Sequence, residues 1–315
     1  MIKNYFKVIR AGINSTFQDK GRANLYHIGI PFSGVMDNRN YLIANSLLNN
    51  DLELPTLEFA YQGPLLKYNG ENINIAITGD AIFNLKIDGI LYEGQPYVTY
   101  QIKDGDEIDI LSTNKSVYGY LAISGKFNLR YHWESYSTNT RANIGSNNGE
   151  KLSDGQIIEI IKINSLEIKR KLKYQNNKIE KIRVIKGTNY DYFSNEGINN
   201  FFSKVFTVSK LSDRMGMRLE GPKIENIVDT NIKSEGLVKG VIQIPADGNP
   251  IIMLSDHGTI GGYPKIGVVI SADYDKLVQL NSSSNIKFQE VELSDAETLF
   301  SLYQMETKNI LSQIK

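Results

Sequence analysis

The chain has 315 residues, a hydrophobic fraction of 41%, and 35 Lys and Arg balanced by 35 Asp and Glu. That length fits two ordinary domains of ~100–150 residues with sizeable cores, and the absence of net charge argues against a dedicated nucleic-acid binder. With no cysteine, disulfides, thiol nucleophiles, thiolate zinc sites and iron–sulfur clusters are excluded, and the three histidines, His27, His132 and His257, are too scattered in sequence for a His-rich metal site.

Neither a signal-peptide apolar region nor ~18 unbroken apolar residues is present, so the expectation is a soluble cytoplasmic protein that contacts neither membrane nor nucleic acid. In chain order, Asp37 is placed to cap a helix whose apolar face carries Tyr41, Ala44 and Leu48. Ile73–Thr78 alternates at period two, the pattern of a half-buried strand. Asp88-Gly89 inside Phe83–Tyr92 predicts a type I′ hairpin. Asp104-Gly105 and Asp154-Gly155 each lead into another alternating strand, and Tyr118–Ile123, Ile182–Ile185 and Val241–Ile244 add more. Ser294 and Glu297 form a capping box ahead of a helix striped by Leu299, Tyr303, Ile310 and Ile314. Many short strands with Gly-rich turns predict a mainly β fold, barrel or sandwich, with few helices. The charged, Asn-rich stretch 165–181 lacks alternation. It divides the chain into an N-terminal domain 1–170, a linker 171–181 and a C-terminal domain 182–315.

Five segments concentrate polar chemistry. Ser15–Arg22 brings Gln18, Asp19 and Arg22 beside a glycine, and Gly29–Asp37 runs through Ser33 and Gly34 into a helix start, where free N–H groups suit a carboxylate or phosphate. Ser212–Pro222 contains Arg214, a guanidinium able to clamp a carboxylate or, with Asp213, to join a structural ion-pair network. Gly240–Pro250 contains Gln243. Asp256–Pro264 holds His257 and Tyr263 among three glycines, and His257 has the one ordinary pKa there suited to proton transfer near neutrality. Capping for Asp37 and structural hydrogen bonding for His257 remain alternative readings. Arg22 is expected at the surface, where its truncation costs less than ~0.5 kcal/mol of stability. Gly145–Lys151 departs from a Walker A loop in spacing and places Glu150 before the lysine, and no biotinylation-type Met-Lys-Met site occurs, so biotin is not expected on this chain.

Together, Thr16–Arg22, Gly29–Asp37, Leu57-Glu58 with Gly63-Pro64, Ser212–Pro222, Ser234–Gly236, Ile242–Ile251 and Thr259–Pro264 resemble the carboxyltransferase-like family of allophanate hydrolase subunit 2 and the 5-oxoprolinase C subunit, which includes the antagonist of the kinase inhibitor KipI. The chain departs from it at Ala11-Gly12, Asn49-Asn50, Ser124–Lys126 and Tyr136–Asn139, the last of which removes an arginine from a loop that the resemblance implies at the cleft.

The resemblance implies two tandem cyclophilin-like β-barrel domains. It implies the C subunit of an ATP-dependent 5-oxoprolinase that opens 5-oxo-L-proline to L-glutamate, active only with the A subunit and a KipI-like B subunit, with ATP and Mg serving the assembled complex. The alternatives are a regulatory protein that binds a kinase inhibitor and a carboxyltransferase component acting on a urea-like amide. Both amide chemistries need stabilised oxyanion charge. The expected catalytic residues are Asp19, Arg22, Asp37, Arg214 and His257, and the expected substrate-binding residues are Gln18, Ser33, Gly34, Gln243 and Tyr263, with no metal ligand.

Overall fold

Alternating apolar residues turn most of the chain into strands in the computed structural model, which describes residues 3–174, 179 and 181–315. Two compact units result, one of Met1–Arg22, Ser33–Gln175 and Lys308–Lys315, the other of Ala23–Phe32 and Asn176–Thr307. Residues 23–32 and 308–315 therefore belong to the unit opposite to the one given by a single cut at 171–181. Of that linker, residues 175–178 and 180 lie outside the described residues. Ile310, Leu311 and Ile314 join the first unit's apolar cluster, and Lys171 and Lys315 exchange backbone hydrogen bonds at 2.8 and 3.3 Å.

The first unit begins with β1 (Tyr5–Arg10), β2 (Asn14–Gln18), α1 (Asn38–Leu47), β3 (Thr56–Ala60) and β4 (Leu65–Asn69). β5 (Ile73–Thr78), β6 (Ala81–Ile87), β7 (Ile90–Glu93) and β8 (Thr99–Ile102) follow. β9 (Glu107–Thr113), β10 (Tyr118–Ile123), β11 (Lys126–Phe127) and β12 (Ile157–Ile161) complete it. They form a seven-stranded sheet, β11-β12-β1-β4-β9-β6-β7, and a five-stranded sheet, β2-β3-β10-β5-β8. One face of each sheet fills a shared core, with Phe6, Tyr68 and Ile108 from the first and Phe17, Phe59 and Ile75 from the second. The opposite face of the second sheet supplies Ala76, Tyr120 and Ala122 to a cluster with Tyr41, Ala44 and Leu47 of α1.

The five-stranded sheet is thus covered twice, and β5 is buried along its whole length rather than half-buried. Its polar residues survive burial because they are bonded. Asn74 donates from Nδ2 to the Leu166 carbonyl at 2.7 Å and accepts from the Ile168 N–H at 2.9 Å, while Thr78 Oγ1 donates to the Asn40 carbonyl at 2.8 Å. Asp88 and Gly89 take φ of +54° and +79°, the turn expected between β6 and β7.

The second unit's strands are β13 (Lys181–Lys186), β14 (Phe206–Val208), β15 (Gly216–Glu220), β16 (Glu235–Gly236) and β17 (Val241–Gln243), then β18 (Ile251–Met253), β19 (Ile260–Gly261), β20 (Lys265–Val269) and β21 (Asn285–Glu290). Seven of them close a barrel in the order β13-β20-β17-β18-β15-β14-β21. The closure is the parallel pair β13–β21, Lys181 opposite Lys287, whereas every other barrel pairing is antiparallel. Closure leaves no exposed sheet edge. β16 and β19 form a separate small ribbon.

The helices here are α2 (Asn195–Ser203), capped by Ser194, α3 (Ser271–Val278) and α4 (Leu293–Ser312). α4 starts at Leu293, so Ser294 is already within the helix rather than at the head of a capping box; the Ala296 N–H donates to the Glu292 carbonyl instead. Among the described residues, no helix is long and apolar enough to cross a membrane.

Candidate functional site

In the first unit, β2 delivers Gln18 and Asp19 to a buried polar junction. Asp19 Oδ1 accepts from the Gly21 N–H at 2.9 Å, Ser135 Oγ at 2.6 Å and Ser137 Oγ at 2.5 Å, and its Oδ2 accepts from the Tyr136 N–H at 2.6 Å. A carboxylate with that many donors fixes the loops around it. Gln18 Nε2 donates to Thr16 Oγ1 and to the Thr138 carbonyl, each at 2.9 Å, while its Oε1 is buried without a hydrogen-bond partner among the described residues.

Arg22 is only 2% exposed, which corrects its expected surface position, and its Nη2 donates to the Ser137 carbonyl. It lies beneath Gly145 (φ +98°), where a Cβ would stand 2.6 Å from Nη2 and 1.9 Å from the Ser137 oxygen. The glycine is what lets the backbone close over the guanidinium.

Ser33 (φ +57°) is fully buried and accepts from Asn139 Nδ2 at 3.0 Å. Gly34 (φ +85°) brings the chain so close to Gly21 that a Cβ would meet its Cα and N at 3.0 Å. Asp37 caps α1, accepting from the Asn40 N–H at 3.0 Å and from Asn40 Nδ2 at 2.7 Å. Its own N–H donates to the Tyr120 hydroxyl at 2.7 Å, which donates to Glu58 Oε2 at 2.8 Å. Burial, then the Glu58 and Asp37 carboxylates, push the Tyr120 hydroxyl well above its ordinary range and keep it a donor. The junction therefore gathers Gln18, Asp19, Arg22, Ser33, Gly34 and Asp37 with Ser137 of the Tyr136–Asn139 loop, and adds Ser135 and Tyr120, which the sequence did not single out.

In the second unit, Arg214 grips Asp256 through two hydrogen bonds, Nε to Oδ2 at 2.7 Å and Nη2 to Oδ1 at 3.1 Å, with both side chains buried. Arg214 thus stands in a structural ion pair, while Asp213 Oδ1 accepts from the Met215 and Gly216 N–H groups. His257, the next residue in the chain after Asp256, is fully buried. The imidazole Nδ1 lies 2.6 Å from the Gly258 carbonyl and Nε2 lies 3.2 Å from the Tyr26 hydroxyl. A carbonyl only accepts, so Nδ1 carries the proton and Nε2 accepts from Tyr26.

Burial pushes the His257 imidazole below its ordinary pKa, against the Gly258 hydrogen bond and with help from the nearby Lys239 charge. Burial raises Tyr26, which is 37% exposed and links the imidazole to solvent. The result is a neutral base backed by a hydroxyl, able to take and return a proton. Gln243 is buried and donates from Nε2 to the Tyr263 carbonyl at 3.1 Å, so it holds the backbone of the His257–Pro264 loop. Tyr263 borders a cleft of about 290 Å³ with Arg218, Asp247 and Pro250, a cleft whose lining does not include Arg214 or His257. Arg214 thus reaches the residue before His257, whereas Tyr263 borders a separate cleft. The structure also adds Lys239 to the cluster, a residue that no motif spacing marked.

The architecture that carries these two clusters is that of the carboxyltransferase domain, subdomain A and B: residues 28–290 match that family, and the chain belongs to it. It is similar to the 5-oxoprolinase C subunit of Escherichia coli (strain K12), 31% identical over 294 residues that cover 92% of this chain and 92% of that protein. It is also 31% identical to the 5-oxoprolinase C subunit of Haemophilus influenzae (strain ATCC 51907 / DSM 11121 / KW20 / Rd) over 288 residues, covering 90% of this chain and 91% of that one. The crystal structure of the K. lactis urea amidolyase matches with a TM-score of 0.87 at 26% identity, over 97% of this chain and 20% of that larger chain.

Proposed function

We propose that the chain is the C subunit of a cytoplasmic ATP-dependent 5-oxoprolinase, contributing to the opening of 5-oxo-L-proline to L-glutamate together with the A subunit and a KipI-like B subunit. The observation that carries this reading is the match to two proteins named as 5-oxoprolinase C subunits across nine-tenths or more of both chains. ATP with Mg is in this reading a cofactor of the assembled complex, and this chain carries no biotin; among the described residues, no group of three or more His, Asp or Glu gathers to hold a metal ion.

His257 is the proposed acid–base group, taking a proton on Nε2 and exchanging it through Tyr26. Arg214 acts through Asp256, whose backbone leads into the imidazole, and so positions the base. In the first unit, Asp19, Arg22 and Asp37 hold the backbone that presents Gln18, Ser33 and Gly34, and the unpartnered Gln18 Oε1 is the acceptor best placed for an amide N–H of the substrate. Gln243 and Tyr263 shape the second unit's loop from its backbone side.

A second reading, a carboxyltransferase acting on a urea-like amide, is favoured by the urea amidolyase match, where only a fifth of the longer chain is shared. Binding of a kinase inhibitor is compatible with the first reading, since both require a protein partner. The test is reconstitution with the proteins encoded beside this chain and measurement of ATP-dependent glutamate release.

A further inference from the structure

We infer that Lys239 anchors the carboxylate of a small ligand in the second unit. Its ammonium lies 4.3 Å from the centroid of the Tyr274 ring and 5.7 Å from that of Phe32. Two ring faces suit a cation, but they do not neutralise it. Among the described residues Lys239 has no ion pair and no hydrogen bond. The unit treats its other enclosed cations differently. Arg214 is matched by Asp256, Lys265 by Glu235 at 2.6 Å, and Arg183 by Asp273.

Asp275, the carboxylate whose charge favours that of Lys239, accepts from the Tyr303 hydroxyl at 2.5 Å. Burial and the neighbouring Arg214 guanidinium draw the Lys239 ammonium below the ordinary lysine range. A half-buried ammonium beside two aromatic rings and a second cation, with Asp275 near but not in direct contact, is a costly arrangement that a directly bound anion relieves. Burial lowers the His257 imidazole first and the Lys239 charge adds to it, so a carboxylate bound at Lys239 also raises the basicity of that imidazole. On the functional reading above, from which this identification of the ligand follows, the carboxylate is that of 5-oxo-L-proline or of the L-glutamate formed from it.

The experiment acetylates the full-length chain with N-hydroxysuccinimidyl acetate and follows Lys239 and the exposed Lys115 by peptide mass mapping. Added ligands are 5-oxo-L-proline, L-glutamate, cyclopentanecarboxylate and the uncharged lactam 2-pyrrolidinone. The expected result is roughly tenfold slower acetylation of Lys239 with the carboxylates, no change with 2-pyrrolidinone and none at Lys115. In calorimetry, Lys239→Met is expected to weaken carboxylate binding by at least tenfold and Lys239→Arg to retain it. If no carboxylate protects Lys239, or if 2-pyrrolidinone protects it equally, the anchor is refuted. Protection by L-glutamate and cyclopentanecarboxylate but not by 5-oxo-L-proline upholds the anchor and overturns the substrate assignment.

Discussion

The Nε2 of His257 meets the hydroxyl of Tyr26 at 3.2 Å, joining residues 231 positions apart in the sequence. The contact ties residues 23–32 to the second unit, and it gives the one buried imidazole of that unit a route for protons. In the reconstituted complex, His257→Asn is expected to lower the rate by about 10²-fold or more with assembly intact. Tyr26→Phe is expected to lower it less, because Nε2 keeps its lone pair. Equal rates for wild type and His257→Asn return His257 to a structural role.

The same histidine makes stability depend on pH. Its folded-state pKa lies below the unfolded value near 6.5, so the unfolded chain binds the extra proton first as the pH falls. Its contribution is complete above about pH 6.5 and is lost as the pH drops from there through the lower folded-state value. Thermal unfolding of wild type and His257→Asn between pH 7.5 and 5 is expected to show a steeper fall for wild type. Parallel curves contradict the assignment.

Asp19 and Arg22 hold the first unit's junction together from within. Asp19→Ala strands buried donors from Ser135, Ser137 and two backbone N–H groups and is expected to cost about 3 kcal/mol in urea unfolding. Arg22→Ala is expected to cost more than ~1 kcal/mol because the guanidinium is enclosed. A loss below ~0.5 kcal/mol for Arg22→Ala fits an exposed arginine and contradicts its burial.

Trp133 and Glu134 form the two-residue turn between the bridged His132 and Ser135, with φ of +48° and +57°. A turn with two positive φ values favours Asn-Gly, and neither residue present is suited to it. Replacing Trp133-Glu134 by Asn-Gly is expected to raise stability by about 1–2 kcal/mol, read as a higher Tm. A lower Tm would mean that contacts of Trp133 outweigh the strain.

Features set by neighbours in sequence were legible before the structure. Asp88-Gly89 turns where the two residues demand positive φ, Asp37 caps α1, and Tyr118–Ile123 is a strand. Features set by distant chain were not. The alternation of β5 predicts one solvated face, but α1 and the segment after Asn164 cover it. Arg22 reads as a surface cation until Gly145 and Ser137 close over it. Lys239 draws no reading at all, since no local pattern reveals Phe32 and Tyr274 beside it. Of the site residues, the grouping around Asp19 followed from motif density, whereas the partner of Arg214 is Asp256, 42 positions away, and not its sequence neighbour.

On the proposed function, the chain serves a 5-oxoprolinase only as part of an assembly. The most direct test compares glutamate release from 5-oxo-L-proline by the purified chain, by the A and B subunits without it, and by all three together with ATP and Mg. Release is predicted only from the complete mixture, with its loss when ATP is withheld. Undiminished release from the other two proteins without this chain, or robust release from this chain alone, would contradict the proposal.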